Sequence, residues 1–255
     1  MKYEFETPVL TKEQLSSVRN LDVAWIQAWL NANCGTKLEV DGVWGTSSRA
    51  EFIHAMTNRS ASPILPHELL SIAQDLGDTN TKRIKAVSLV ESGGSGGWFN
   101  SGLPKILYER HKFWEWTTNV SNRVVSWFAN PQYGGYTMDA NGNGINDSWE
   151  KLSLAIGKDP LAALSAISIG KFQVLGRYYR ECGYNHPIEM LCAASRDEYA
   201  HYAMLRDYIL NVAKLKEAFL ALSTNPNDNR TFARGYNGKA YERYEYHIKL
   251  AKAMA

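Results

Sequence analysis

The chain has 255 residues, of which 45% are hydrophobic and 21% are charged. This balance is typical of a folded globular protein and excludes a wholly disordered or fibrous chain. The formal net charge of +2 is too small to indicate nucleic acid as the main partner. No stretch approaches the roughly 18 apolar residues of a membrane span, and the acidic N-terminus lacks the apolar core of a signal peptide. We therefore expect no signal peptide and no stable membrane association.

The first 58 residues predict a small helical domain. Thr11 followed by Gln14 resembles a capping box, and residues 23–30 carry apolar side chains at helical spacing. A glycine-punctuated turn over residues 40–46 then separates this segment from a short amphipathic helix over residues 52–56. We expect a compact module of three helices.

A domain boundary is predicted after this module. Residues 59–66 are small, polar and proline-bearing, which is typical of a linker. The predicted organisation is therefore a small domain over residues 1–58, a linker over residues 59–66 and a larger domain over residues 67–255.

The first half of the larger domain begins with two predicted helices. Pro66 at a first-turn position and Gly77 at a stop position bracket the first helix, and Thr81 is the predicted cap of the second. Residues 105–113 fit either a strand or a helix. These patterns predict a mainly α fold with a small irregular or β lobe.

Three further helices are predicted towards the C-terminus. An Ala-rich apolar helix covers residues 160–167 after Asp159, and Ser195 with Glu198 predicts a capping box for a long helix over residues 199–222. An amphipathic helix over residues 239–255 closes the chain.

The cysteines, Cys34, Cys182 and Cys192, are odd in number and lack metal-ligand spacing. A disulfide framework is therefore not expected, and the thiols are predicted to be reduced, as in a protein made in the cytoplasm. Eight Trp and fourteen Tyr residues are many, and their amphipathic rings suit sugar faces as well as cores.

Glu91 is the most informative residue in the chain. It ends an apolar helical run over residues 84–91 and is followed at once by a glycine-rich segment over residues 92–97. A carboxyl that leaves a hydrophobic helix where the backbone opens is partly desolvated while it still touches a cleft. Desolvation raises its pKa, which a general acid working near neutral pH requires. The alternative is a solvated Glu at a frayed helix end.

Four segments of the sequence, taken together and in this order, form a specific combination, although each is a weak signal of function alone. They are Val90-Glu91-Ser92, Ile106-Leu107-Tyr108-Glu109-Arg110-His111, Ser168-Ile169-Gly170-Lys171-Phe172-Gln173 and Ala233-Arg234-Gly235-Tyr236-Asn237-Gly238. The acid, the Gly-x-x-Gln and the Tyr-Asn-Gly resemble the lysozyme superfamily, notably goose-type lysozymes and soluble lytic transglycosylases. More closely, the segments look like the N-acetylmuramidase domain of phage endolysins, over roughly Pro66 to the C-terminus.

This resemblance implies a lysozyme-like helical catalytic domain that hydrolyses the bond between N-acetylmuramic acid and N-acetylglucosamine in peptidoglycan. Glycosidic cleavage needs one protonated carboxyl and, usually, a second carboxylate. Glu91 is the candidate acid. Glu109 is the candidate partner, because it lies in the shared second segment beside Arg110 and His111, which can tune its charge. The alternative role for Glu109 is an ion pair with a neighbouring basic group.

Four further residues of the shared segments are candidate substrate-binding residues. The amide of Gln173 offers donors and an acceptor that suit an N-acetyl group or a sugar hydroxyl. Tyr236 and Asn237 are expected to line the same groove, and Ser168 completes the set. The alternative for each is a hydrogen bond that only stabilises the fold.

The N-terminal module is similar to the small peptidoglycan-binding domain found beside many wall hydrolases. The turn Asp41-Gly42-Val43-Trp44-Gly45-Thr46 matches that family's central turn, whereas Ser48 replaces the more usual Thr. A tethered binding domain raises the local substrate concentration on an insoluble polymer. The alternative is a merely structural cap.

A possible ion site lies over residues 139–150. Asp139, Asn141, Asn143, Asp147 and Glu150 satisfy a calcium-loop template, with Gly144 at the bend. An Asn-Gly-rich turn without metal fits the same sequence. Any calcium is expected to be structural, and catalysis is expected to need no cofactor.

The leading hypothesis is a two-domain muramidase of the endolysin type, whose partner is bacterial peptidoglycan. Such a protein is expected to be monomeric, to stay in the host cytoplasm and to reach the cell wall through a holin. One alternative is a lytic transglycosylase, and another is a non-catalytic wall-binding or phage tail component.

Overall fold

The computed structural model describes residues 3–255, and this part of the chain is mainly helical. The helices are α1 Lys12–Ser17, α2 Leu21–Cys34, α3 Thr46–Ala55, α4 Pro66–Asp75, α5 Lys82–Ser92, α6 Arg110–Trp116, α7 Asp147–Ile156, α8 Pro160–Ser165, α9 Pro187–Arg196, α10 Glu198–Asp207, α11 Lys216–Leu220, α12 Arg230–Asn237 and α13 Tyr246–Met254. The strands are β1 Ile106–Tyr108, β2 Ile167–Ile169 and β3 Val174–Leu175. They form one antiparallel sheet in the order β1-β2-β3. The predicted mainly α fold with a small β lobe is confirmed.

The N-terminal module, defined here as residues 3–58, contains α1, α2 and α3. The capping box predicted at Thr11 is confirmed, because the Thr11 hydroxyl accepts a hydrogen bond from Gln14 N and the Gln14 side chain accepts one from Thr11 N. This capping box begins the short helix α1 and not the longer helix α2. A separate cap begins α2, where Asn20 Oδ1 accepts hydrogen bonds from the backbone of Asp22 and Val23.

The N-terminal module packs closely on the C-terminal region, residues 67–255. The indole N–H of Trp44 donates a hydrogen bond to the carbonyl of Ser153 on α7 (2.6 Å). The ring of Phe52 on α3 lies 5.9 Å from the ring of Trp149, and both side chains are fully buried in one continuous core. Burial of such large rings stabilises this contact by several kcal/mol, on the order of 2–3 kcal/mol for each.

The segment over residues 59–66 is also fixed to the C-terminal region. Asn58 donates from its side chain to the carbonyl of Arg196 (3.0 Å), and Ser62 accepts a backbone hydrogen bond from Glu198 (2.9 Å). The backbone N–H of Ile64 donates to the Glu198 carboxylate (3.0 Å). The connection therefore holds the two parts in one orientation.

Helices α4 and α5 lead to the candidate acid. The predicted start at Pro66 is confirmed, and Gly77 follows the end of α4 with φ +87°. Thr81 precedes α5, but its side chain makes no capping hydrogen bond. Asn80 caps the helix instead, through a hydrogen bond from Lys82 N (2.8 Å).

Residues 105–113 adopt both of the structures that their pattern allows. Ile106 and Tyr108 are buried in β1, and the chain then turns at Glu109 into α6. The predicted helix over residues 160–167 begins after Asp159 as expected, since the Asp159 carboxylate accepts from Ala162 N (3.0 Å), but it ends at Ser165 and gives way to β2.

The capping box predicted for Ser195 and Glu198 is wrong. Ser195 lies inside α9, and its hydroxyl donates to the carbonyl of Cys192 (2.7 Å). Asp197 begins α10 instead, because its carboxylate accepts a hydrogen bond from Ala200 N (3.1 Å). A capping residue must lie just outside the helix that it caps, whereas Ser195 is part of the preceding helix α9.

Two predicted C-terminal helices are shorter than their patterns indicate. The segment over residues 199–222 contains α10, a π-helical turn over Tyr208–Val212 and α11, because Lys214 has φ 54° and interrupts the helix. The last helix, α13, begins at Tyr246 and not at residue 239, because Glu245 has φ 52°. Left-handed residues cannot continue an α-helix. Within residues 3–255, no helix has the length and apolar character needed to cross a membrane.

Candidate active site

A groove crosses the C-terminal region and contains Glu91 near its middle. It consists of two adjoining cavities with volumes of about 320 and 310 Å³. Glu91 and Gln173 line both cavities and therefore mark their junction. The first cavity has several aromatic wall residues, including Tyr178, Tyr208 and Tyr236. Such a cleft, with a carboxyl at the junction, is able to bind a chain of sugars on both sides of one reacting bond.

Glu91 stands in the last turn of α5, one residue before the helix ends at Ser92, and Gly93 follows in the left-handed conformation with φ 56°. The predicted helix-end position is confirmed. The Glu91 carboxylate accepts hydrogen bonds from the Tyr246 hydroxyl and from Asn237 Nδ2 (3.3 Å). Burial raises the pKa of Glu91 above its ordinary value, although these two hydrogen bonds oppose the shift. A protonated carboxyl near neutral pH is what general acid catalysis requires.

A stack of tyrosines supports the Glu91 side of the groove. The rings of Tyr236 and Tyr246 are nearly parallel, at an angle of 7° and a centroid distance of 6.5 Å. Tyr208 meets the edge of Tyr236 at 5.4 Å. Since α13 packs against α5, Tyr246 at the start of α13 reaches Glu91 at the end of α5. The stack excludes water from one side of the carboxyl and so maintains its raised pKa.

The turn over residues 170–173 positions Gln173 beside Glu91. His201 is fully buried below this turn, and its Nδ1 accepts a hydrogen bond from Lys171 N (2.8 Å). Its Nε2 lies 2.8 Å from the carbonyl of Ala194 and donates to it, which fixes the neutral tautomer. Burial lowers the pKa of His201 to about 4. A buried neutral imidazole therefore holds the turn from beneath.

Gly170 is required by this arrangement. Its φ is 72°, and a Cβ at this position would lie 2.5 Å from His201 Nδ1. Gln173 also has a positive φ of 50°, which is uncommon for a residue with a side chain. Its Nε2 donates to the carbonyl of Gly170 (2.8 Å), so the amide oxygen is the atom that Gln173 offers to a ligand.

Ser168 lies on the sheet beneath the groove. It is the central residue of β2 and pairs with Leu107 on one side and with Leu175 on the other. Leu107 lines one cavity and Leu175 lines the other, whereas Ser168 itself is not among the lining residues. Directly paired residues share one face of a sheet, so Ser168 is located under the junction of the cavities.

Glu109 follows β1 and is separated from the groove by Tyr136. The hydroxyl of Tyr136 donates a hydrogen bond to the Glu109 carboxylate, and Tyr136 lines the same cavity as Glu91. His111 Nδ1 lies 3.5 Å from Glu109 Oε2. The basic neighbour of Glu109 is therefore His111 rather than Arg110. Glu91 is the only carboxylate among the described residues that line the two cavities.

The loop over residues 139–150 is closed by its own hydrogen bonds. Glu150 accepts from the side-chain amides of Asn141 (3.0 Å) and Asn143 (2.7 Å), and both Asp139 oxygens accept from backbone N–H groups at 3.0 Å. Asp147 is buried, with one oxygen bonded to Ala140 N (3.0 Å).

This loop does not fit calcium as it is arranged. Calcium takes six to eight oxygen ligands, whereas here amide N–H groups face the Glu150 carboxylate. The second oxygen of Asp147 is buried and has no hydrogen-bond partner. Among residues 3–255, no three or more His, Cys, Asp or Glu side chains are grouped as metal ligands. The contacts favour a metal-free turn.

Sequence reasoning missed several residues that shape the groove, among them Tyr246, Tyr136 and His201 as well as the wall residues Tyr178 and Tyr208. Tyr246 and His201 lie outside the four segments, and each looks like an ordinary core residue of a helix. Tyr136 belongs to a glycine-rich stretch that gives no regular pattern. The large number of tyrosines was the only available signal for the missed tyrosines, and nothing in the sequence indicated His201.

The sequence model of the N-acetylmuramidase family matches residues 80–255. The chain belongs to this family. This muramidase is therefore a glycoside hydrolase, and its substrate is bacterial peptidoglycan. The matched range contains Glu91, Glu109, Ser168, Gln173 and the Tyr236–Asn237 pair, and it begins after the N-terminal module.

The muramidase is also similar to a solved structure, the crystal structure of the Burkholderia AP3 phage endolysin. The two proteins share 25% sequence identity with a TM-score of 0.63, over 93% of this chain and 95% of that chain. A coverage this large reaches into the N-terminal module as well. No protein with curated annotation matches the muramidase significantly in sequence.

Proposed function

We propose that Glu91 is the general acid that cleaves the bond between N-acetylmuramic acid and N-acetylglucosamine. The single observation that carries this proposal is the carboxyl with a raised pKa at the junction of the two cavities. A glycan that fills both cavities has its central glycosidic oxygen beside Glu91. Transfer of the Glu91 proton to that oxygen lets the leaving sugar depart as an alcohol.

The neighbours of Glu91 support both halves of this proton cycle. The Glu91 carboxylate that remains after transfer keeps its hydrogen bonds from Tyr246 and Asn237. Those donors stabilise the charged form while the positive charge develops on the sugar ring. Glu91 then recovers a proton from the incoming nucleophile. The Gln173 amide oxygen and Ser168 are proposed to bind sugar hydroxyl or acetamido groups at the junction.

Replacing Glu91 with Gln tests the acid role. Glu91→Gln should reduce kcat on purified peptidoglycan by about 10²–10⁴-fold, which is the usual contribution of a positioned general acid. Glu217→Gln on exposed α11 is the matched control and should retain full activity. Circular dichroism and thermal melting must show that both variants fold. Wall clearing by folded Glu91→Gln at the wild-type rate would remove Glu91 from this role.

We propose Glu109 as the second carboxylate, acting on the nucleophilic water through Tyr136. Tyr136 lines the groove and donates a hydrogen bond to Glu109, which does not line it. The Tyr136 hydroxyl can therefore accept a proton from the water while its own proton passes to the Glu109 carboxylate. Glu109→Gln and Tyr136→Phe should then lower kcat to a similar extent, by about tenfold or more. Wild-type kcat in Glu109→Gln would reduce Glu109 to a structural partner of His111.

The single lining carboxylate also allows a second product. Without a carboxylate to activate water, the muramic acid can displace the leaving group with its own hydroxyl and form an anhydro ring, as lytic transglycosylases do. Mass spectrometry of digested peptidoglycan distinguishes the outcomes. Hydrolysis gives reducing muramic acid ends, which we expect, whereas anhydro ends would favour cyclisation.

We also propose that the N-terminal module binds peptidoglycan. A cavity of about 570 Å³ lies between α2 and α3, and both basic and acidic side chains line it, including Lys37, Glu39 and Glu51. Sedimentation of the inactive Glu91→Gln protein with insoluble wall measures binding without digestion. Adding Glu39→Lys should reduce the bound fraction several-fold, and Glu13→Lys on α1 serves as the control. Equal binding by all three proteins would indicate a structural cap.

The similarity to a phage endolysin supports a role in host lysis. We propose that the enzyme accumulates in the host cytoplasm as a monomer and reaches the wall through a holin, without stable attachment to membranes or nucleic acid. Expression alone should then leave cells intact, and lysis should follow once the inner membrane is permeabilised. Light scattering during gel filtration should give the mass of one chain.

A further inference from the structure

Two of the three cysteines meet where the N-terminal module contacts the C-terminal region. Cys34 is the last residue of α2, and Cys192 lies in α9. They are 158 residues apart in sequence, yet their Sγ atoms are 4.0 Å apart. Both are free thiols, as is Cys182. The fold therefore brings together two thiols from parts of the chain that are joined otherwise only by noncovalent contacts and the segment over residues 59–66.

We propose that Cys34 and Cys192 are a disulfide-forming pair that covalently joins the N-terminal module to the C-terminal region when the protein meets a disulfide oxidant. A disulfide bond requires the sulfurs to approach from 4.0 Å to about 2.05 Å. Gly35, directly after Cys34, has φ 69° and no described atom within 4 Å of a Cβ built on it. The backbone directly after Cys34 therefore has open space beside it.

The two thiols have complementary environments. Cys34 is partly exposed, whereas Cys192 is 3% exposed. The hydrogen bond from Cys34 and the nearby Arg196 guanidinium lower the pKa of Cys192. The same hydrogen bond, together with burial, raises the pKa of Cys34. A shared proton between the two sulfurs thus favours the thiolate at the buried position and the thiol at the accessible one.

These environments fit a two-step thiol–disulfide exchange with oxidised glutathione. Cys34 Sγ passes the shared proton to the Cys192 thiolate and attacks one glutathione sulfur, so that the glutathione disulfide breaks and one glutathione thiolate leaves. Cys192 then loses that proton to the departing glutathione thiolate, and its own thiolate attacks Cys34 Sγ and releases the second glutathione thiolate. Two protein sulfurs are oxidised and one glutathione disulfide is reduced to two glutathione thiols, which carry the shared proton and one proton from solvent.

Cys182 provides an internal control in the same chain. It is buried, its pKa is raised by that burial, and its thiol lies 3.9 Å from the carbonyl of Met204. Its hydrogen-bond partner is a carbonyl rather than a second sulfur that could take its proton, so Cys182 is a poor nucleophile. Cys182 should therefore remain reduced under conditions that link the other two cysteines.

The test uses the full chain incubated with oxidised glutathione, followed by thiol counting and mass spectrometry without reduction. Cys182 and Cys192 share one tryptic peptide, so the link is mapped in Cys182→Ser. That variant should yield a cross-link between the peptides over residues 20–37 and 181–196. It should also show a Tm increase of roughly 5–10 °C on oxidation, because the bond closes a long loop in the unfolded chain.

Single variants test the order of the steps. Cys192→Ser should trap one glutathione on Cys34, whereas Cys34→Ser should gain none, since Cys192 is shielded. Cys192→Ala is made in parallel, because a hydroxyl buried at this position costs stability on its own. Free thiols at both positions in the oxidised protein, a link that involves Cys182, or a disulfide-linked dimer on a nonreducing gel would each overturn the proposal.

Discussion

The hydroxyl of Tyr246 donates a hydrogen bond to Oε1 of Glu91, across the contact between the start of α13 and the end of α5. The two residues are 155 positions apart in sequence. Burial raises the pKa of Glu91, and the Tyr246 hydrogen bond limits that rise by stabilising the ionised form. Tyr246 thereby influences both the orientation of the Glu91 carboxyl and the pH range in which that carboxyl holds its proton.

Tyr246→Phe should move the alkaline limb of the kcat/KM profile to higher pH. The variant loses a donor that favours the Glu91 carboxylate, so the pKa of Glu91 rises further and the acid stays protonated to higher pH. The value of kcat at the optimum should fall about tenfold, since the carboxyl also loses a partner that orients it. Initial rates on peptidoglycan across the pH range measure both effects.

Tyr244→Phe is the matched control for that experiment. Tyr244 is 59% exposed and precedes the same helix, so loss of its hydroxyl should change neither the limb nor kcat. An unshifted alkaline limb in folded Tyr246→Phe would show that the contact does not control the protonation of Glu91.

The helix-end position of Glu91 was predictable from sequence, but its contact with Tyr246 was not. Glu91 was singled out because an apolar helix, a carboxyl and glycines are adjacent in the chain, which is local information. Gln173 and Asn237 were singled out through their family segments. Tyr246 contacts Glu91 only because α13 packs on α5, and this long-range contact has no local signature. The fit of His201 under Gly170 is equally invisible in the sequence.

The errors in secondary structure have the same origin. Residues 199–222 have strong helical periodicity, yet Lys214 adopts a positive φ and redirects the chain so that Leu215 is buried. Ser195 has a capping-box pattern, but Asp197 supplies the cap that the packed helices use. Tertiary packing overrides propensity at such junctions. The cysteine count likewise gave no hint that Cys34 and Cys192 are neighbours.

Glu91→Gln should stabilise the fold above neutral pH. A carboxyl whose pKa is raised by folding favours the native state fully below its unfolded pKa, and this contribution is lost as the pH rises through the native pKa. Gln has no charge to bury. The free energy of unfolding of Glu91→Gln should therefore exceed that of the wild type by about 1 kcal/mol at pH 8, and the gain should vanish at pH 4. Urea titrations at the two pH values measure it. A constant difference at both pH values would contradict the raised pKa.

Gly170→Ala should destabilise the protein and weaken substrate binding. A Cβ at Gly170 would lie 2.5 Å from the buried His201 ring at a backbone φ of 72°, so the turn that carries Gln173 must shift. We expect a loss of about 2–4 kcal/mol in the free energy of unfolding and a higher KM. Gly183→Ala is the control, since Gly183 has φ 81° but no described atom within 4 Å of the added Cβ. That variant should cost only about 1 kcal/mol. Equal losses in the two variants would indicate that the contact with His201 is unimportant.

Removal of divalent cations should leave the melting temperature unchanged. The carboxylates of Asp139 and Glu150 are already satisfied by N–H donors within the loop, so no ion is needed to close it. A calcium ion present at 100 times its Kd would instead add about 2.7 kcal/mol, or a Tm rise of roughly 5–10 °C. Differential scanning calorimetry with excess EDTA and with excess calcium separates these cases. If calcium raises the Tm of the wild type but not of Asp139→Asn, the loop binds the ion and its Asn side-chain amides must turn their oxygens inward.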